Sequence, residues 1–178
     1  MVTDLKETFY NLRVYKMMLN PSKCVFGVPA GKLLGFLVSN RGIEANPEKI
    51  KAMTSLAKPA CINDVQRLAG HVAALSRFIR RLGEKVMPLY QMMKRTDDFV
   101  WSEAANSAFE DLKKELAEPP VLAAPVEKEP LLLYVATNSR AVSAAIVVEH
   151  KEDGKEHPVQ RPVYYISEVL IDSKQRYP

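Results

Sequence analysis

The sequence of 178 residues contains few of the residues that build disulfide-rich or metal-bound folds. It has 2 cysteines and 3 histidines, and neither Cys24 nor Cys61 has partners at a metal-ligand spacing. Two cysteines are too few for a disulfide scaffold, so we expect a reducing intracellular compartment, cytoplasmic or nuclear. No apolar run approaches the ~20 residues of a membrane span, and no signal segment opens the chain. We therefore expect neither secretion nor a membrane partner.

Signatures of catalysis are also missing. There is no Gly-x-Ser-x-Gly elbow for a nucleophilic serine and no glycine-rich loop for a phosphate group. Two-metal phosphoryl transfer needs carboxylates gathered at strand ends, whereas the acidic residues here concentrate in a helical stretch, 97–118, and in a turn, 149–156. The residues by themselves therefore predict no catalytic group and no metal ligand.

Charge is distributed unevenly along the chain. The net charge is +4, yet residues 49–95 carry 10 basic and 2 acidic groups, whereas residues 96–130 carry 3 basic and 9 acidic groups. Arg77, Arg80 and Arg81 lie together at the end of one predicted helix. Such a basic block favours a polyanionic partner, most simply a nucleic acid. The alternative is a solvated helix face that only keeps the chain soluble.

The first half of the chain reads as a helix, a β-hairpin and further helices. Residues 3–18 have helical periodicity, and Asn20-Pro21 is expected to stop that helix. Short strands are predicted at 23–27 and 33–39, with a turn at 29–31 and a second turn at 40–42. A helix is expected over 47–56, with Asn46 as its cap and Pro47 at its first position.

Two longer helices follow, each with an apolar stripe. Asn63 is predicted to open the first, with Gln66 in capping-box position. Ser102 is predicted to cap the second, which runs to Ala117. The stripes consist of Val65, Leu68, Val72, Leu75, Phe78 and Ile79 in the first region, and of Ala105, Phe109, Leu112 and Leu116 in the second. A shorter helix carries Val86, Leu89, Tyr90 and Met93 between them.

The last third of the chain has β character. Residues 121–130 contain prolines and charges and are predicted to be a linker. Apolar runs at 131–135, 141–149 and 162–167 are separated by short polar turns, which predicts an antiparallel meander. The fold class is therefore α+β. Both ends of the sequence are abrupt, so we expect a piece of a longer polypeptide.

Several motifs, taken in order, resemble the Pol polyprotein of gypsy-type LTR retrotransposons. The end of the reverse-transcriptase palm and the start of its thumb resemble segments 19–27, 33–39, 42–43 and 47–50, and the thumb itself resembles Val65-Gln66-Arg67-Leu68-Ala69-Gly70 and 75–79. The connection of that family resembles segments 99–102, 108–109, 112–113 and 119–122. Its RNase H-like domain resembles segments 164–167 and 176–178. The resemblance implies four parts: the palm end with a helix and β-hairpin (1–44), a helical thumb (45–96), a connector helix and linker (97–130), and a truncated RNase H-like domain with its first antiparallel strands (131–178).

The resemblance also implies that the family's catalytic carboxylates are missing. The polymerase aspartates of the family lie in a turn upstream of the palm helix, and nothing like that turn occurs here. The first RNase H aspartate falls on Ala136, and the next carboxylate would lie beyond Pro178. The closest likeness is to plant elements whose first RNase H-like domain is degenerate. The segment is therefore expected to be inactive, with the Mg²⁺ cofactor belonging to the parent enzyme.

The thumb of this family packs a helix against the minor groove of its duplex. The resemblance assigns nucleic-acid contact to six residues: Gln66, Arg67, Gly70, Arg77, Arg80 and Arg81. The expected partners are an RNA–DNA hybrid or DNA template-primer and the rest of the Pol polyprotein. Gly70 either lets a sugar–phosphate strand approach the backbone or permits tight helix packing. Two other functions stay open: a decayed or domesticated module for structure or protein interaction, and a residual nuclease that uses other carboxylates.

Overall fold

The computed structural model describes residues 2–94, 99–151, 154–170 and 174. Among these residues, six α-helices and six β-strands follow in chain order: α1 (Val2–Val14), β1 (Ala30–Leu33), β2 (Phe36–Ser39), β3 (Gly42–Ala45), α2 (Pro47–Thr54), α3 (Ile62–Ala74), α4 (Leu82–Lys85), α5 (Met87–Lys94), α6 (Glu103–Ala117), β4 (Leu132–Thr137), β5 (Ala141–His150) and β6 (Val159–Val169). Short 3₁₀ turns lie at Pro21–Lys23 and Ser76–Phe78. Helices mixed with antiparallel sheets confirm the α+β class. The motif at 176–178 and the boundary at 96/97 lie outside the described residues.

The first sheet is a three-stranded antiparallel meander in the order β1-β2-β3. The predicted strand at 23–27 is wrong, because Asn20 Oδ1 accepts the Ser22 N–H at 3.0 Å and Pro21 begins a 3₁₀ turn. The predicted turn at 29–31 is also wrong. The chain reverses instead at Leu34-Gly35, where both residues have positive φ (49° and 82°), as tight hairpin turns require.

Helix ends follow local capping at most of the predicted positions. Asn46 Oδ1 accepts the Glu48 N–H at 3.0 Å at the start of α2, and Ser102 Oγ accepts the Ala105 N–H at 3.2 Å at the start of α6, so both predicted caps are confirmed. The first helix ends earlier than expected because Lys16 turns left-handed, with φ of 54°.

The predicted capping box at the start of α3 is wrong. The helix begins one residue before Asn63, and Gln66 stays on the exposed helix face. The side chain of the N-cap residue Cys61 makes no capping hydrogen bond, and Asp64 in the first turn instead accepts the Ala60 N–H, just before the helix, at 3.1 Å. That hydrogen bond is the main reason why the pKa of Asp64 lies below its ordinary value.

One hydrophobic core joins the helices. The two predicted apolar stripes are buried, and each of these members is 0–3% exposed: Val65, Leu68, Val72, Leu75, Phe78, Ile79, Ala105, Phe109, Leu112 and Leu116. The first predicted helix ends earlier than expected, at Ala74, and the 3₁₀ turn Ser76–Phe78 carries the rest of its stripe into the core. Met53 of α2 and Leu89 of α5 complete the cluster. Because the inner face of α3 is buried in this core, only its outer face is open to a partner.

The second sheet is the predicted antiparallel meander, in the order β4-β5-β6. Its register shifts between Ile146 and Val147, where Pro162 of β6 interrupts the ladder. One face of the sheet packs against α4 and the Ser76–Phe78 turn. The other face leaves Leu133, Val135 and Ile166 exposed by 59–65%.

The predicted linker is tied to both sheets. Leu122 is 1% exposed and exchanges two backbone hydrogen bonds with Ile43 of β3, at 2.8 and 2.9 Å. The next residue, Ala123, donates its N–H to the Pro162 carbonyl of β6 at 2.7 Å. These bonds from two consecutive residues link β3 of the first sheet to β6 of the second. Within the described ranges, no helix is both long and apolar enough to cross a bilayer.

Candidate nucleic-acid interface

The outer face of α3 presents three of the six predicted contact residues. Gln66, Arg67 and Gly70 are all exposed, one helical turn apart on the side opposite the buried Val65 and Leu68. A Cβ built on Gly70 would meet no atom within 4 Å. Tight helix packing is therefore not the reason for this glycine, and the backbone at Gly70 is open to a partner.

Arg77 lies away from that face, in the 3₁₀ turn after α3. Its guanidinium carbon is 4.5 Å from the centre of the Phe36 ring on β2 and 5.1 Å from the centre of the Tyr164 ring on β6. The half-buried side chain therefore stacks between the first and the second sheet. The side chain of its neighbour Phe78 is buried, and the centre of the Phe78 ring lies 6.0 Å from the centre of the Phe36 ring.

Arg80 and Arg81 each lie beside a carboxylate. The Arg80 side chain is 70% exposed, and its Nε is 4.0 Å from Glu115 Oε1. Arg81 has left-handed backbone geometry, with φ of 52°, and forms an ion pair with Glu84 three residues on. The structure thus divides the six predicted residues among an open helix face, an aromatic slot and two ion pairs.

Glu115 of α6 is the centre of a small charge cluster. It also pairs with Lys85, and its side chain is only 18% exposed. Tyr165 of β6 lies nearby, and burial raises the pKa of its phenol; Arg80 opposes that rise and Glu115 adds to it. The two ion pairs therefore join α6 to Lys85 of α4 and to Arg80 in the segment before it.

A hydroxyl pair joins α4 to the second sheet. The buried Gly83 N–H donates to Ser167 Oγ at 2.8 Å, and Ser167 Oγ lies 2.7 Å from Ser143 Oγ. A Cβ on Gly83 would approach Ser167 Oγ to 2.9 Å, so only glycine permits this contact without displacement. The groove beside the pair has a volume of about 580 Å³ and is lined by Tyr90, Arg140 and the edge of β6.

Ala136 occupies β4, directly opposite Ser143 of β5. Its methyl group offers no oxygen to a cation. Within the ranges that the structure describes, no three His, Cys, Asp or Glu side chains come close enough together to hold a metal ion. His150 instead contacts Glu129, with 2.9 Å between Nε2 and Oε1.

Sequence reasoning missed three residues of this region. Phe36 and Tyr164 flank Arg77, and Lys49 lies over the ring of Phe36; the three residues belong to different elements. The only local signal was the presence of aromatic residues within the strand motifs at 33–39 and 164–167. Their convergence depends on the packing of both sheets against the helices.

Comparison with protein families relates the second half of the chain to a known domain. Residues 101–178 match the family described as the RNase H-like domain found in reverse transcriptase. The Tf2-3 and Tf2-4 transposon polyproteins of Schizosaccharomyces pombe are each 26% identical to this chain over 158 residues, which is 89% of the chain. The chain spans only 12% of the length of those polyproteins.

Comparison with solved structures relates nearly the whole chain to one fold. The foamy viral protease-reverse transcriptase in complex with dsDNA superposes with a TM-score of 0.75 and 16% identity, covering 99% of this chain and 36% of that one. The same enzyme in complex with an RNA/DNA hybrid gives a TM-score of 0.73 and 15% identity, with 99% and 23% coverage. The chain is thus similar to a segment of retroelement Pol polyproteins from the reverse transcriptase and RNase H-like region.

Proposed function

We propose that this chain is the template-primer-binding segment of a gypsy-type LTR-retrotransposon Pol polyprotein, closest to plant elements. Residues 1–44 would be the end of the reverse-transcriptase palm, 45–96 its thumb, 97–130 the connector and 131–178 the start of an RNase H-like domain. The order of the motifs and the similarity to transposon polyproteins over 89% of the chain support this assignment.

The observation that carries the proposal is the open outer face of α3. Gln66 and Arg67 place an amide and a guanidinium beside the bare backbone of Gly70, and no side chain of the core obstructs them. Arg67 would donate to a phosphate oxygen of an RNA–DNA hybrid or a DNA template-primer. Gly70 would let a strand approach the helix backbone closely.

Arg80 and Arg81 have a weaker role in this proposal. Each already lies beside a carboxylate, so a phosphate must compete with Glu115 or Glu84 for the same N–H groups. We expect substitutions there to weaken binding less than substitution of Arg67. The excess of positive charge at 49–95 supplies the remaining, sequence-independent attraction.

The same proposal assigns no chemistry to the segment itself. Ala136 stands where the family places its first RNase H aspartate, and alanine cannot ligate Mg²⁺. Polymerase and nuclease carboxylates, with their Mg²⁺, would come from other parts of the polyprotein. We expect no Mg²⁺-dependent cleavage of a hybrid by this chain, and such cleavage would instead support the residual-nuclease function.

Fluorescence anisotropy with a labelled RNA–DNA hybrid tests the proposal. The affinity of the chain should fall linearly with salt on logarithmic axes, and Arg67→Gln should lower the slope by about 0.7–0.9. Lys114→Gln, at an exposed position of α6, is the matched control and should leave the slope unchanged. Gly70→Leu should keep the fold, because its side chain enters open space, yet block the duplex.

A module for structure or protein interaction is the competing function. The exposed apolar face formed by Leu133, Val135 and Ile166 favours it. This function predicts that the hybrid binds no better than a free mononucleotide and that Arg67→Gln and Gly70→Leu change nothing. Salt-dependent hybrid binding that both variants reduce would exclude it.

A further inference from the structure

Two cations share one aromatic ring at the junction of the first sheet with the helices. Lys49 Nζ of α2 lies 5.7 Å from the centre of the Phe36 ring, and the Arg77 guanidinium carbon lies 4.5 Å from it. Because both distances are measured to the centre of the Phe36 ring, the two charges are no more than about 10 Å apart. The ring fixes them on one small surface.

Neither cation has an acidic partner among the residues that the structure describes. Within 2–94, 99–151, 154–170 and residue 174, no carboxylate forms an ion pair with Lys49 or Arg77. The nearest acidic residue in sequence, Glu48, is already engaged by Lys32 at 2.7 Å. That hydrogen bond is the main cause of the lowered pKa of Glu48. Two neighbouring charges of the same sign without counter-charge favour the arrival of an anion.

The second aromatic ring determines how Arg77 can meet that anion. Tyr164 of β6 lies 5.1 Å from the guanidinium carbon, so the cation is held between rings from both sheets. Stacking uses the faces of the guanidinium group and leaves its N–H edges available, and these edges match the oxygens of a phosphate group.

We infer that Lys49 and Arg77, held on the ring of Phe36, form a second phosphate-contact site for a strand of the nucleic acid bound at α3. This inference rests on the proposed function and adds to it a residue from α2 that the sequence did not single out. Lys49 and Arg77 contact the phosphate, and Tyr164 is a positioning residue that orients Arg77. One strand of a duplex carries a charge every ~3.4 Å of axis, so successive phosphates of a single strand can meet both cations.

The critical experiment compares hybrid binding by Lys49→Gln with hybrid binding by Lys51→Gln, a substitution two residues away. Both lysines belong to α2 and lose the same charge, but Lys51 is exposed and makes no contact with the ring of Phe36. Lys49→Gln should weaken hybrid binding about three- to tenfold and lower the salt slope by about 0.7–0.9, whereas Lys51→Gln, which removes only a share of the general attraction, should change both much less. Far-ultraviolet circular dichroism verifies that both variants are folded.

Two substitutions of Tyr164 distinguish the orientation of Arg77 from the loss of its charge. Tyr164→Phe keeps a ring against Arg77 and should bind like the unchanged protein. Tyr164→Leu removes the ring but no charge, so its affinity should fall while its salt slope shows the loss of one phosphate contact. A fall in affinity with an unchanged slope would show that Tyr164 has only a structural role.

The outcomes distinguish this site from the proposed function. If the unchanged protein shows no salt-dependent binding of the hybrid, the proposed function fails. If it binds, and Arg67→Gln weakens that binding while Lys49→Gln equals Lys51→Gln, the helix face is supported and the second site is refuted.

Discussion

Removal of the Ser167 hydroxyl tests how the second sheet is held against the helices. Ser167→Ala deprives the buried Gly83 N–H of its acceptor and removes the partner of Ser143 Oγ, which belongs to a residue only 7% exposed. The hydroxyl also donates to the Val142 carbonyl at 3.2 Å within the sheet. One substitution therefore disrupts the contact between α4 and β6 and a contact inside the sheet.

The size of the effect follows from burial. An unsatisfied buried donor costs about 1–3 kcal/mol. Ser143 adds to that cost, whereas water from the adjoining groove of about 580 Å³ reduces it by replacing the lost partner. The net expectation is a loss of about 1–3 kcal/mol in the free energy of unfolding. With a urea dependence of about 2 kcal/mol per molar, the midpoint falls by about 0.5–1.5 M.

Equilibrium urea unfolding of the 178-residue chain measures this shift. Far-ultraviolet circular dichroism follows both sheets and helices, and the fluorescence of Trp101, the only tryptophan, follows the helical core. Ser107→Ala on the exposed side of α6 is the control and should be neutral or slightly stabilising, because alanine favours helix. A midpoint for Ser167→Ala equal to that of the unchanged protein would refute the reasoning.

Two further outcomes are expected from the core and from the junction. Phe109→Ala, at a position 1% exposed, should lower the free energy of unfolding by about 3–5 kcal/mol in the same urea assay, and a loss below 1 kcal/mol would contradict the central place of α6 in the core. Because burial raises the pKa of Tyr165, its neutral form stabilises the fold below the ordinary tyrosine value of about 10, and that contribution is lost as pH rises. Stability should therefore decline more steeply above pH ~10 in the unchanged protein than in Tyr165→Phe, and parallel pH profiles would contradict this.

The parts of the fold that local chemistry determines were predictable from the sequence. The stripes of α3 and α6 repeat with helical period, and the caps Asn46 and Ser102 precede their helices directly. The strand predicted at 23–27 failed because apolar content does not reveal whether a segment will find a partner strand. Its neighbour Ala30–Leu33 is less apolar, yet it pairs with β2 across the Leu34-Gly35 turn.

In the candidate site, too, only the proximity that arises within one helix could be predicted from the sequence. Gln66, Arg67 and Gly70 share a face because of helical spacing alone, so their proximity was foreseeable. The slot around Arg77 was not, since Phe36 and Tyr164 reach it from two separate sheets. Burial of Leu122 in the segment after α6 was equally hidden, because the prolines and charges of that segment indicated only a connection.

The bridge between Ile43 and Leu122 has a consequence for biosynthesis. The open edge of β3 obtains its backbone partner only after about 80 further residues have left the ribosome, which takes about 4–16 s at ordinary rates of translation. During that interval the nascent chain carries unpaired N–H and C=O groups on an edge that can pair with another strand. Once Leu122 has emerged, its backbone can pair with Ile43 on this edge. The bond from the Ala123 N–H to the Pro162 carbonyl can form only after Pro162 has been synthesised as well. If the chain folds during synthesis, we expect the helical core to close before the second sheet joins it.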